Sequence, residues 1–425
     1  MPRPRISTPT LIILILLMIA APLHAEKLLI PMDLTQTDHL RAYGVTYNAI
    51  KVGAVAEWLL NYRGGSFLID MHPDIERLCR IKGVRSERVS DAQVAMIYQE
   101  IEESNMERVR LEKAPKIAVY QPPDIEPWDD AVTLVLEYVE IPYDKIYDTE
   151  VLGGKLKEYD WLHLHHEDFT GQYGKFWGVY RNADWYVARQ IAQEERASRL
   201  GFAKVSQLKA AVVANLREYV DDGGFLFAMC SATDSFDIAQ AAMGIDIVPA
   251  PFDRDGVDPN AQAKLNFDNT WAFKDFQLSF NPSEYEFSTI DATPRTGSSN
   301  RGDGGDYFTL FEFSAKHDPV PTMLTQCHTS VIKGFMGQTT AYYEQYIKAD
   351  VIIMGRMEGA GIAKYIHGNS GQGTWTFYGG HDPEDYRHRI QDPPTDLHLY
   401  PNSPGYRLIL NNILFPAAKK KEQKT

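Results

Sequence analysis

Phe225-Leu226-Phe227-Ala228-Met229-Cys230-Ser231-Ala232-Thr233-Asp234 is the stretch on which the reading of this chain turns. Five apolar residues in a row, without polar alternation, fit a strand covered on both faces, as in a parallel sheet between helices. Ser231 to Asp234 has the spacing of a capping box, so a helix is expected to begin directly after the sulfur of Cys230. Ala228 and Ala232 flank the cysteine two residues before and after, the small neighbours that a tight strand-to-helix turn demands. Unpaired N–H groups and the dipole at a helix start favour a thiolate and can hold an oxyanion, so the N–H of Ser231 is expected to contribute there.

A second β-like run, Gly373 to Tyr378, empties into Gly379-Gly380-His381-Asp382-Pro383-Glu384. The glycines allow close backbone approach. His381 would take the thiol proton and return it to the leaving group, with Glu384 as the preferred orienting acid and Asp382 also in reach. Cys230, His381 and Glu384 thus form the candidate catalytic set. A third feature, Leu164-His165-His166-Glu167-Asp168, follows the strand pattern Trp161 to Leu164. His163 and His165 fall on one strand face and could ligate a metal. No helical histidine pair at zinc-protease spacing and no matching cysteine pair accompany them, so His165, His166 and Glu167 read as a substrate-contacting loop. No metal and no cofactor is assigned.

Strand and helix patterns alternate from Lys116-Ile117-Ala118-Val119-Tyr120 onward, which predicts an α/β fold with a doubly wound, mostly parallel sheet between residues 114 and 416. In such sheets ligands gather at the carboxyl ends of the strands, where all three features fall. Residues 26–113 read as a small N-terminal α/β unit, in which Ser90 to Gln93 would cap a helix running to Leu111. Residues from about 249 to 305 break the rhythm as an insertion rich in Pro, Asp, Asn and Gly. Pro321 to Thr325 and Val351 to Gly355 are read as further strands.

Arg3 and Arg5, the apolar run Leu11 to Ala21 and Leu23-His24-Ala25 give residues 1–25 the pattern of a cleavable export signal. The expected mature chain is periplasmic or secreted, with no stable membrane insertion. Its removal changes 43 basic against 57 acidic residues to 41 against 57, a net charge of −16. That balance repels phosphate backbones and argues against nucleic-acid partners. The basic tail, 417–425, reads as a solvated end. Cys79, Cys230 and Cys327 allow at most one bridge, and the pairing is open.

On the Cys230 strand-to-helix segment and the His381–Glu384 segment, the chain from Pro115 to Pro416 resembles the class I glutamine amidotransferase-like superfamily. The resemblance implies a flavodoxin-like fold and a triad of Cys230, His381 and Glu384. Alanines replace the glycines usual around the nucleophile, Asp382 is inserted into the His-Pro-Glu motif, and the glycine-rich oxyanion loop gives way to His165–Asp168. Through stretches such as Trp58 to Phe67 the whole chain is also similar to exported bacterial proteins often labelled asparagine synthetase B. The expected function is a cysteine-type amide hydrolase acting through a thioester on a peptide, glycan-linked or small amide. The alternative is a non-catalytic module that binds a glycan or peptide on the same fold.

Overall fold

A computed structural model describes residues 26–123, 130–292, 307–312, 314–318, 329–333, 338–385 and 393–418. The export pattern, Cys327 and the strand expected at Pro321 to Thr325 lie outside the described residues. Among these, no helix is long and apolar enough to cross a membrane.

The N-terminal strands are β1 (Lys27–Ile30), β2 (Ala56–Leu60), β3 (Ser66–Asp70), β4 (Glu87–Val89) and β5 (Glu107–Leu111). They form an antiparallel sheet in the order β4-β1-β3-β2-β5. Helix α1 (His39–Lys51) starts at Asp38, whose side chain accepts from the Arg41 N–H. Helix α2 spans Pro73–Lys82, and α3 (Asp91–Glu103) carries the capping box read at Ser90. One face of this sheet packs Leu29, Leu59 and Leu68 against α3, while the other joins the main core through Trp58, Phe67 and Ile69.

The second sheet contains β6 (Ile117–Tyr120), β7 (Asp144–Ile146), β8 (Trp161–Leu164), β9 (Phe225–Met229), β10 (Tyr307–Leu310), β11 (Val331–Lys333), β12 (Tyr342–Tyr343), β13 (Ile352–Met357), β14 (Ile362–Ser370) and β15 (Gly373–Tyr378). Its order is β11-β10-β13-β14-β15-β9-β8-β6-β7, with β12 on β14. Only the pairings from β15 to β7 are parallel; the rest are antiparallel. The expected doubly wound, mostly parallel flavodoxin-like sheet is therefore corrected to a ten-stranded mixed sheet beside an antiparallel five-stranded one. The reason is local. Parallel neighbours need a crossover of a dozen or more residues, whereas only Gly371 and Gln372 separate β14 from β15. Gly371 sits at φ +56°, and a Cβ on Gly373 would lie 2.1 Å from the Val220 carbonyl oxygen.

Four main helices cover this sheet after α3: α4 (Ala131–Val139), α5 (Asp184–Arg199), α6 (Val205–Asp221) and α7 (Ser231–Ala241), followed by α8 (Pro404–Leu414) near the end of the chain. Strand alternation divides the core. Phe225, Phe227 and Met229 of β9 join the core that holds α1, α4 and α8, whereas Leu226 and Ala228 join the core that holds α6 and α7. Arg407 of α8, fully buried, binds the Tyr43 hydroxyl at 3.1 Å and the carbonyls of Met32 and Gly64, tying the N-terminal sheet to the larger body.

Burying His367 in β14 pushes its pKa down to about 3, with Nδ1 2.9 Å from Thr376 Oγ1. In the unfolded chain a histidine titrates near ~6.5. Between these values the unfolded state holds the extra proton, so stability is full above about pH 6.5 and falls by up to about 1.4 kcal/mol per pH unit below it. Urea midpoints measured from pH 7 to 4 are expected to fall less steeply in His367→Asn than in wild type. Parallel curves would refute this account.

Candidate functional site

Side chains from four strand ends meet at one edge of the parallel half. Tyr378 of β15 pairs with Met229 of β9, and the Cys230 N–H donates to the Gly380 carbonyl at 3.0 Å. Ala228 pairs on its other side with Leu164 of β8. This register delivers Cys230 beside His165 and His166, with His381 packed against the two imidazoles. Beyond β6, Asp130 caps α4 from the same side.

Cys230 stands at φ 55°, ψ −140°, a backbone region that L residues avoid, and is itself the N-cap of α7. The helix thus starts at the sulfur, one residue earlier than a capping box on Ser231 would place it. Ser231, buried, is the first helical residue, so its N–H belongs to the first turn, which has no intrahelical acceptor. Positive φ also occurs at His166, Tyr173, Lys175 and Thr339, the segments that frame the cysteine. Strain of this kind concentrates at functional sites.

Cys230 is 1% exposed, yet its surroundings are polar. The thiol donates to the Gln338 carbonyl at 2.9 Å, and the Gln338 amide holds the Gly174 and Tyr285 carbonyls. Ligand-type atoms of Cys230, His165 and His166 all lie within 4.8 Å of one another. The His165 and His166 rings stack at 3.7 Å, and the His381 ring lies 4.2 Å from His166 and 4.7 Å from His165. Nε2 of His381 meets Nε2 of His166 directly.

Asp130 organises this cluster from beneath. Its Oδ1 accepts from the N–H groups of Val132 and Thr133 at 2.8 and 3.0 Å, and Oδ2 lies 3.2 Å from His163 Nε2 and 3.1 Å from His165 Nδ1. The two histidine contacts have ion-pair separation without the linear geometry of good hydrogen bonds. Burial opposes the carboxylate's charge, but His163 and His165 outweigh it and hold its pKa well below the usual range. Burial, together with His166, lowers His165 to about 4. The ring is neutral near pH 7, and the carboxylate favours the proton on Nδ1, leaving the Nε2 lone pair for the cluster.

The other expected residues lie elsewhere. The Glu384 carboxyl lies beside Ser403 and Lys333, and burial raises its pKa. Asp382 accepts from the Tyr406 hydroxyl at 2.6 Å. Glu167 points away from the cysteine into a buried network in which Lys209 Nζ reaches Tyr120, Tyr147, Asp148 and Glu167 at 2.9, 3.1, 3.1 and 3.3 Å. That network anchors the histidine loop, aided by Ser235 Oγ on the Glu167 carbonyl at 3.1 Å. Asp130 escaped the sequence reading, although an aspartate opening an apolar helix just past a strand is a recognisable N-cap signal. A cavity of about 650 Å³ lies at the opposite ends of β8, β9 and β15, beside Asp160, Phe225 and Gly373, and is separate from this cluster.

No family profile and no curated protein matches the chain. Among solved structures it is similar to Cytoplasmic Protein STM3548 from Salmonella typhimurium, with 11% identity and a TM-score of 0.35, over 72% of this chain and 100% of that one. Cytoplasmic Protein STM1381 from Salmonella typhimurium LT2 gives 12% identity and 0.36 over the same shares. The GH42 beta-galactosidase Gan42B from G. stearothermophilus gives 12% identity and 0.28 over 69% of this chain and 31% of that one. Likenesses this distant assign neither fold family nor activity.

Proposed function

We propose that the chain is an exported cysteine-type hydrolase that cleaves a C–N amide bond through a thioester on Cys230. The observation that carries this reading is a cysteine on a strained strand-to-helix turn, with imidazole nitrogens of His165 and His166 within 4.8 Å and Asp130 Oδ2 3.1 Å from Nδ1 of His165.

In this reading His165 Nε2 takes the thiol proton, and the thiolate attacks the amide carbonyl. The Ser231 N–H, at the positive end of α7, receives the developing oxyanion. Collapse of the tetrahedral adduct expels the amine, which leaves with the proton held by the imidazolium. Water then hydrolyses the thioester, giving the carboxylic acid and free thiol. Asp130 takes the orienting role that the resemblance implies for Glu384, and His381, in contact with His166, fixes the imidazole stack. The small exposure of Cys230 favours a second reading, a non-catalytic peptide- or glycan-binding module.

Labelling separates the two readings. Iodoacetamide at pH 6 is expected to modify Cys230 in wild type at least about tenfold faster than in His165→Ala, matching the loss of a general base. An activated ester of a small acyl amino acid should leave one acyl mass increment on Cys230. Equal alkylation in both proteins, with no acyl adduct, would remove the hydrolase reading.

A further inference from the structure

We infer that Cys230, His165 and His166 form a three-ligand binding site for a zinc-class divalent transition metal. The inference goes beyond the hydrolase reading and stands independently of it.

The donor set selects the ion. One thiolate and imidazole nitrogens suit zinc and its borderline neighbours, whereas magnesium and calcium require oxygen ligands. The geometry is close to closed. Tetrahedral zinc with bonds of ~2.0–2.3 Å separates its ligand atoms by roughly 3.3–3.8 Å. The sulfur and the nitrogens of His165 and His166 already lie within 4.8 Å of one another, so small side-chain rotations complete the set. Nε2 of His381 touches Nε2 of His166 from outside this three-ligand group, so a solvent molecule would complete the tetrahedron.

Two further observations point to a ligand. His165 is 5% exposed, and its Nε2 is buried without a hydrogen-bond partner, an arrangement that costs free energy unless something occupies the nitrogen's lone pair. Its other nitrogen, likewise without a well-aligned hydrogen bond, lies 3.1 Å from Asp130 Oδ2, a carboxylate–histidine arrangement that favours a metal-binding tautomer. Asp130 is in turn fixed by two backbone N–H groups and by His163. His166 is half-buried, the least enclosed of the three ligands. Binding replaces the Cys230 S–H bond by a metal–sulfur bond and releases that proton to solvent. A sulfur lone pair committed to the metal is a weaker nucleophile, so occupancy by the ion slows attack on a carbonyl or an alkylating agent.

Cobalt(II) and zinc(II) are the probes, used on the full chain. One equivalent of cobalt is expected to give a sulfur-to-cobalt charge-transfer band and the visible bands of a tetrahedral ion. The charge-transfer band should vanish in Cys230→Ser, and zinc affinity should fall about 10–100-fold in Asp130→Asn through the orienting contact. On wild type alone, zinc but not magnesium should protect Cys230 from iodoacetamide, with EDTA restoring the reaction. No thiolate band, the same band in Cys230→Ser, or labelling indifferent to zinc would overturn the site. Zinc protection with no acyl adduct and with equal alkylation of wild type and His165→Ala supports the metal site while removing the hydrolase, and an acyl adduct without zinc protection does the reverse.

Discussion

Asp130→Ala is expected to lower the unfolding free energy by about 3–5 kcal/mol, read from urea midpoints near pH 7. The size follows from what the carboxylate does at once. Each buried polar group left without its partner costs ~1–3 kcal/mol, and this carboxylate serves several at once. Here those groups are the N–H donors of Val132 and Thr133 and two ring nitrogens, His163 Nε2 and His165 Nδ1. Loss of the helix cap is alone worth about 1 kcal/mol of that. Asp130→Asn keeps a cap oxygen for α4 but turns an amide toward the histidines. It should therefore recover part of the stability while slowing Cys230 alkylation as much as Asp130→Ala does. An Asp130→Ala midpoint shift equivalent to less than about 1 kcal/mol would mean that the histidine cluster stands without this anchor.

Lys209→Met should be comparably damaging, again by about 3–5 kcal/mol. Lys209 is 1% exposed. Burial works against its charge, but Asp148, Tyr147 and Glu167 outweigh that cost and hold its proton well above the usual lysine range. Methionine fills the volume of the stem but leaves Asp148 and Glu167 as uncompensated buried acids. Adding Asp148→Asn and Glu167→Gln to Lys209→Met should restore much of the loss, since a neutral network of the same shape avoids the desolvation cost. A triple variant no more stable than Lys209→Met would place the damage in packing rather than charge. Because Glu167 continues the loop that carries His165 and His166, the single variant should also slow Cys230 labelling.

Several elements were legible because their signals are local. The unbroken apolar run of β9 and the helix-forming residues after Cys230 predict a covered strand feeding a helix, and the Ser90 box forms as written. Other elements were obscured by chemistry that only burial explains. Strand β14 contains Lys364 and His367, polar residues that disguise its pattern and are nonetheless fully buried. Without that strand, β13 and β15 look like successive parallel strands, and the mixed sheet is read as parallel. The histidine loop misleads in another way. His166 takes a positive φ, which breaks strand alternation and sends Glu167 down to Lys209 while His165 and His166 stay at the cysteine.

By itself the sequence determined that Cys230 and His381 each follow a strand, and that a helix begins at the cysteine, because hydrophobic period and turn chemistry act over a few residues. Tertiary structure alone decided which imidazoles surround the sulfur and which acid holds them. Those partners come from different strands, so their meeting depends on inter-strand register, buried charge compensation and a few strained backbone positions that short-range patterns do not encode.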